Sequence, residues 1–259
     1  MAEQDRTFVF LGTGTSTGVP VVGCDCTVCR SKNPKNQRYR ASGLIQTPRG
    51  NILIDTGPEM RLQLLREEIR RVDAVLYTHY HVDHLYGMDD LRVLGKYHTE
   101  PIPVYCTEEV EAVIRRVFAY MFEWDHANRN YLPRLEFRTI DEQPFEVLGE
   151  KITPIPLQHH TFHVFGYRVG NMAYCTDVNE FPSRSWPLLE DLDVFIIDTL
   201  RYKSHPAHMG LNESLEVIER LNPGQAYLTH MSHELDYDAV NASLPGGVAM
   251  AYDGLRFRF

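Results

Sequence analysis

Ala74-Val75-Leu76-Tyr77-Thr78-His79-Tyr80-His81-Val82-Asp83-His84 runs from a short apolar segment straight into four candidate ligands within six positions. Ala74 to Thr78 is brief, rich in strand-favouring residues and ends on a polar group, so it reads as a buried strand. Alternate residues leaving a strand share one side, so His79 and His81 can converge on one cation. Asp83 and His84 then turn to a second position close by. Imidazole and carboxylate donors suit Zn, Mn or Fe(II). As packing, four such groups together would be costly without partners. The stretch therefore points to metal chemistry placed at the end of a buried strand.

Working outward, comparable apolar runs recur at Phe8–Leu11, Asn51–Asp55, Ile102–Tyr105, Met172–Cys175, Val194–Asp198 and Ala226–Thr229. Their length and Gly, Pro or Asp boundaries read as strands. Helical patterns lie between them. Met60, Leu64, Leu65 and Ile69 share one apolar face, as do Leu215, Ile218 and Leu221, and Val110 to Phe122 forms a third. Strands alternating with helices give an α/β fold. Asp55, His79, Asp177, Asp198 and His230 each follow an apolar strand, which is where α/β sheets place their sites. Gln225-Ala226-Tyr227-Leu228-Thr229-His230 echoes Ala74 to His79 and suggests two related halves facing one site. No linker divides the chain, so residues 1–259 are read as one domain, with an aromatic-rich helical insertion expected at about 108–136.

The 259 residues are 43% hydrophobic and 24% charged, an ordinary globular profile. A formal charge of -9 disfavours long nucleic acids as partners. The start, Met1-Ala2-Glu3-Gln4-Asp5-Arg6, lacks the basic and apolar runs of a signal peptide, and no run is long enough to span a bilayer. A soluble, cytoplasmic protein without a membrane partner is the expectation. Cys106 and Cys175 sit singly in strand-like runs and read as small buried hydrophobes. Cys24-x-Cys26-x-x-Cys29 is instead a compact three-thiolate set, one short of the four ligands of a structural Zn.

Two cations need more than four ligands. His159 or His160, then Asp177, then His230 follow further strand-like runs and could complete two sets. A carboxylate such as Asp177 can bridge two cations, which a histidine cannot readily do. Leu11-Gly12-Thr13-Gly14-Thr15-Ser16-Thr17-Gly18 departs from the dinucleotide pattern because its third glycine comes one residue late and a cysteine loop follows. It reads as a tight turn that brings backbone close to the site.

With these positions filled, the sequence resembles the metallo-β-lactamase superfamily from Leu11 to Leu255. The resemblance implies a four-layer αββα sandwich with a dinuclear site at one edge. It implies His79, His81 and one of His159 and His160 on the first ion. Spacing to Phe165-Gly166-Tyr167 favours His159. Asp83, His84 and His230 would hold the second ion, and Asp177 would bridge. Asp55 matches an aspartate that orients the metal loop. Glu at position 81 would mark flavodiiron proteins, and Cys at 177 some true β-lactamases; neither is present. Within the superfamily the cysteine cluster resembles phosphodiesterases like the phosphoribosyl 1,2-cyclic phosphate phosphodiesterase of the carbon–phosphorus lyase pathway. That branch implies His233 as fourth ligand of one structural Zn, and a homodimer by analogy.

The expected function is hydrolysis of a small cyclic or nucleotide-like phosphodiester with two Zn or Mn ions. Two ions about 3.5–4 Å apart clamp the attacking and leaving oxygens of an in-line displacement. Asp83 could take the proton of the nucleophilic water. His208 aligns with the family's acid, with His205 as alternate. Arg201 is a candidate donor to phosphate, whereas Arg38 and Arg40 are expected on a solvated surface. An RNA-processing nuclease resembling the tRNA 3′-end endonuclease competes with this reading, but no protruding Gly/Pro-rich arm is evident. A non-hydrolytic role, like that of the quinone-cofactor biosynthesis relative, competes less well because all seven metal positions are filled.

Overall fold

A computed structural model describes residues 6–123 and 132–259. Strands β1 (Thr7–Gly12), β2 (Ser42–Thr47), β3 (Gly50–Ile54), β4 (Ala74–Leu76), β5 (Ile102–Cys106) and β6 (Leu135–Thr139) form one sheet. The second contains β7 (Phe145–Val147), β8 (Glu150–His159), β9 (Phe162–Val169), β10 (Met172–Cys175), β11 (Val194–Asp198), β12 (Gln225–Thr229) and β13 (Val248–Met250). The last strand, β14 (Arg256–Arg258), returns to the first sheet beside β1. The helices are α1 (Met60–Arg66), α2 (Val82–Leu85), α3 (Leu91–Leu94), α4 (Glu108–Val117), α5 (Tyr120–Glu123), α6 (Leu211–Leu221) and α7 (Tyr237–Asn241).

Strand alternation sorts the apolar side chains into three cores. Phe8, Phe10, Ile52, Ile54, Ala74 and Leu76 meet Ile152, Tyr167, Val169 and Ile196 between the sheets. Their neighbours Val9, Leu11, Leu53 and Val75 face the other way, onto Met60, Leu64, Val110 and Ile114 of α1 and α4. Phe195 and Ile197 likewise turn outward onto Ile218 of α6 and Val240 of α7. Helix, sheet, sheet, helix is the four-layer αββα sandwich expected from the sequence. Among the described residues no helix is long and apolar enough to cross a membrane.

Each sheet is antiparallel at one side and parallel at the other. β3, β4, β5 and β6 run parallel, as do β10, β11, β12 and β13. The first parallel strand of each set, β3 and β10, leads into Asp55 and Asp177, both at positive φ (63° and 54°). The second of each, β4 and β11, leads to His79 and Asp198. The echo between residues 74–79 and 225–230 therefore links β4 to β12, one strand away from the match that the topology makes.

Helix ends depart from the pattern for local reasons. The face predicted from Met60 to Ile69 stops at Arg66, because Glu68 turns left-handed (φ 56°). α6 begins four residues before Leu215, where Glu213 accepts from the Gly210 amide, and ends on left-handed Asn222. The predicted helix from Val110 to Phe122 is split at Phe118, whose φ of −108° and ψ of 37° end α4. Thr107 caps α4, and Glu108, Glu109 and Glu111 lie in its first turn with Arg115 and Arg116 in its last, complementing the helix dipole. Within the insertion expected at 108–136, α4 packs on the first sheet; residues 124–131, with Trp124 and Tyr131, lie outside the described residues.

One strand of the second sheet ties down the metal loop of the first. The Tyr167 hydroxyl donates to the Tyr77 carbonyl (2.6 Å), and the Phe165 amide to the Thr78 carbonyl (3.1 Å). Tyr167 is fully buried. Tyr167→Phe is expected to lose about 1–2 kcal/mol of stability, read by urea denaturation, because a buried carbonyl loses its side-chain partner.

Candidate metal centre

Strand ends of both sheets converge on one cluster. β4 delivers His79, β8 His159, β10 Asp177 and β12 His230. His81 sits at the N-cap of α2, and one turn of that helix carries Asp83 and His84. Gly57 and Gly87 make room there: a Cβ on Gly57 would lie 2.5 Å from the Asp83 carbonyl, and one on Gly87 2.1 Å from the Gly57 carbonyl.

The ligand atoms fall into two sets that share Asp177. His79, His81, His159 and Asp177 form the first, and Asp83, His84, Asp177 and His230 the second, each set with all its ligand atoms within 4.8 Å. Asp177 Oδ2 lies 3.8 Å from His79 Nε2 and 4.0 Å from His159 Nε2. Its Oδ1 lies 3.2 Å from His84 Nε2 and 3.4 Å from His230 Nε2. Asp83 Oδ2 is 3.3 Å from His84 Nε2 and 3.5 Å from His230 Nε2. His160 is not in either set: it is exposed, left-handed (φ 53°), and its amide donates to Asn179.

Partners behind the cluster fix which ring nitrogen faces it. Asp55 is fully buried and accepts from the Thr78 amide, the Thr78 hydroxyl and His84 Nδ1 (2.7 Å). Since the Thr78 hydroxyl proton goes to Asp55, its oxygen accepts from His79 Nδ1 (2.9 Å). His159 Nδ1 donates to the Ala207 carbonyl (2.7 Å). These bonds leave Nε2 of all three rings for the centre. Nε2 of His79, His84 and His230 are buried with no hydrogen-bond partner. Buried polar atoms are normally satisfied, so an orphaned, convergent set of imidazole and carboxylate donors fits divalent cations.

The electrostatics agree. Burial pulls His79, His81 and His159 below the ordinary imidazole value, which keeps them neutral and able to ligate. Burial would push the Asp83 and Asp177 carboxyls up, but His84 and His230 outweigh it and hold both below the usual carboxylate range. His84 runs the other way: Asp177, Asp83 and Asp55 surround it and raise it against burial, a positive charge whose place a cation bound among those carboxylates would take.

Beside the second set lies a pair that the sequence showed only in part. Asp198 ends β11, is fully buried, and accepts from the Val178 amide and from His208 Nδ1 (2.7 Å). Its other oxygen is 3.6 Å from His230 Nδ1. Burial lowers His208, but Asp198 prevails and holds it up at about 9. The His208 ring stands 4.6 Å from that of His159 and 4.7 Å from that of His230. His205 is farther out, 5.4 Å from His208, and its Nδ1 accepts from the Ala207 amide.

One expectation about the arginines changes. Arg201 donates from Nε to the Lys203 carbonyl and from Nη2 to the Ser204 carbonyl, so it shapes the turn before His208. Arg38, expected on a solvated surface, is fully buried and donates to the Ser232 and Leu235 carbonyls and to Asn36. Its stem lies against the glycine turn, where a Cβ on Gly14 would come 2.9 Å from Arg38 Cβ. Nothing in the local sequence marked this inward turn. Arg40 is paired with Glu59 and donates to the Ser16 carbonyl.

The cysteine loop closes on the same region. The sulfurs of Cys24, Cys26 and Cys29 lie 3.3, 3.4 and 3.5 Å from His233 Nδ1. The Cys29 amide, against burial and with help from His233, brings the Cys26 thiol down to about 6; burial pushes that of Cys29 up to about 11. Three thiols and one imidazole at one point match the donor set of a structural Zn. Cys106 and Cys175 are fully buried, as expected.

Residues 50–231 match the family model of the beta-lactamase superfamily domain. A crystal structure of a new diphosphatase from the PhnP family is 39% identical, with a TM-score of 0.93 over 98% of this chain and 97% of that one. An octanoyltransferase of Porphyromonas gingivalis is 36% identical over 250 residues, 95% of this chain but 50% of that protein. A ribonuclease Z of Bradyrhizobium diazoefficiens is 30% identical over 139 residues, 52% of this chain and 45% of its own length. The chain thus spans about half the length of the curated relatives it matches. Its family match, the αββα layers and the likeness to a PhnP-family structure over nearly the whole chain agree with the resemblance read from the sequence: this chain belongs to the metallo-β-lactamase superfamily and is PhnP-like.

Proposed function

We propose that this chain is a dinuclear metal-dependent hydrolase acting on a small phosphodiester, cyclic or nucleotide-like. The observation that carries the reading is Asp177, whose two oxygens face two different donor sets. Likeness to a PhnP-family diphosphatase supports phosphoryl chemistry and extends the substrates to be tested to diphosphate esters. The octanoyltransferase is about twice as long as this chain, and only half of it is matched.

His79, His81 and His159 would hold one cation, Asp83, His84 and His230 the other, and Asp177 both. When bound, two such cations polarise a phosphoryl group and lower the pKa of a nearby water. The remaining steps belong to side chains. Asp83, a carboxylate within the second donor set, can accept a proton from the attacking water. Asp198 fixes His208 through Nδ1 and favours its protonated form, so His208 can give a proton to the leaving oxygen. Asp55 holds His84 and Thr78, and so the turn of the metal loop. Cys24, Cys26, Cys29 and His233 would hold a third, structural Zn.

A second reading, an RNA-processing nuclease, draws on the similarity to ribonuclease Z. The formal charge of -9 weighs against an extended phosphate backbone as ligand.

Purified protein with Mn or Zn is expected to cleave bis-p-nitrophenyl phosphate, and His81→Ala to lose most of that rate. No cleavage by wild type, or equal rates for both, would sink the reading. His208→Ala is expected to slow alkyl leaving groups by about 100-fold or more while p-nitrophenolate release suffers far less; equal losses would remove its acid role. Metal analysis is expected to give three ions per chain, and Cys26→Ser to lose one. Unchanged content in that variant would refute the thiol site.

A further inference from the structure

The glycine turn from Gly12 to Gly18 takes no part in the chemistry above, and neither does the buried guanidinium of Arg38. Both act on one short segment. The Met231 amide donates to the Thr13 carbonyl (2.8 Å), and the Thr15 amide to the Met231 carbonyl (3.2 Å). On its other side the Gly14 amide donates to the Tyr39 carbonyl (2.8 Å). Gly14 thus bridges Arg40 and Met231, like a strand inserted between them. Such close approach leaves no room for a side chain: a Cβ on Gly14 would come 2.8 Å from the Arg38 carbonyl.

Arg38 completes the brace. Its backbone is bonded in both directions to Val19 (2.8 and 2.9 Å), which fixes where the side chain starts. Nη1 donates to the Ser232 carbonyl (2.7 Å), and Nη2 to the Leu235 carbonyl (2.6 Å) and to Asn36 Oδ1 (3.1 Å). A planar guanidinium fork holds two carbonyls in a fixed geometry that a single ammonium cannot reproduce. A guanidinium that is 1% exposed and bonded to neutral oxygens is costly to bury, so the order it imposes on the segment has to offset that cost.

What the segment presents is His230. His79, His84 and His159 are each oriented from behind by a bond at Nδ1. His230 Nδ1 is buried with no hydrogen-bond partner, and Asp198 Oδ1 stands 3.6 Å away. The ring therefore has to be aimed by its own backbone, which is left-handed (φ 57°). That backbone is pinned at both neighbours. The Thr199 amide donates to the Thr229 carbonyl (2.9 Å), and the glycine turn holds Met231.

Resting on the dinuclear reading, we propose that Arg38, acting with the glycine turn, is a positioning residue for His230 and so sets how tightly the second donor set holds its cation. Arg38 itself is no ligand. Removing a group that orients a metal ligand from behind typically lowers metal affinity by about 10–100-fold. For His230 that support comes through the main chain.

The test reads metal affinity, not turnover. Competition with a fluorescent chelator is expected to show the more weakly held active-site ion loosened by about tenfold or more in Arg38→Met. In a His230→Ala background the same substitution is expected to add almost nothing, because the ligand it acts through is gone. A general loss of structure would lower affinity equally in both backgrounds. Unchanged affinity in Arg38→Met, or an equal loss in both backgrounds, overturns the proposal and leaves the dinuclear reading standing. Wild type that holds fewer than two active-site ions overturns both. A second readout needs no variant. Hydrogen exchange at the Met231 and Ser232 amides of wild type, bonded to the Thr13 and Leu200 carbonyls, is expected to stay slow when mild chelation removes the active-site ions and leaves the thiol-bound Zn in place. Exchange that turns fast shows that the active-site ions order the segment, and overturns the proposal.

Discussion

A single carboxylate organises this molecule. Asp177 is buried and lies between two groups of imidazoles, with each oxygen assigned to one group. A charge so placed is tolerable only among positive partners. Its neighbours come from β4, β8 and β12 and from the turn of α2, so four separate segments must arrive at one point. Both sheets serve that convergence. Neither could place the cluster alone, because His79 comes from one and His159, Asp177 and His230 from the other. Strain is also concentrated there. Asp55, Asp177 and His230 all adopt positive φ, a conformation that non-glycine residues hold only where the surroundings impose it.

The surroundings that impose it are polar and local. Asp55 satisfies three donors of the metal loop, and the carbonyls of Tyr77 and Thr78 are satisfied from β9. On the far side Arg38 binds the carbonyls on either side of His233, three residues past His230. The thiols of the cysteine loop close on His233 itself. The segment from His230 to Leu235 is therefore clamped at both ends, by the active-site cluster and by the cysteine loop. A cation among those thiols would stiffen the same segment that presents His230.

What the sequence disclosed follows from the range of each interaction. His79 to His84 was legible because its ligands are neighbours in the chain and their spacing matches the strand-to-helix turn. Asp177 and His230 were legible because each ends an apolar run. His159 and His160 could not be separated by residue type. The left-handed turn at His160 decides between them, since it sends one ring to Asp177 and the other to solvent. Arg38 was misread because its partners are the backbone carbonyls of residues nearly two hundred positions away, which leave no trace in side-chain composition. Asp198 was visible as a strand-end residue, but its bond to His208 exists only once the turn shaped by Arg201 has formed.

The same division of range explains why chemistry and specificity differ in legibility. Metal ligands must be one of a few residue types, so their identity alone carries information. A surface that recognises the rest of a substrate can be built from ordinary core residues. Tyr80 and Phe162 are each partly packed into a hydrophobic core, and read singly they are core residues. They meet only because the sheets that carry them end at the same place. In a sandwich whose site lies along one edge, apolar side chains from both sheets reach the rim of the cluster there. The rim of such a site is set where packing stops, by side chains whose first task is to close the core.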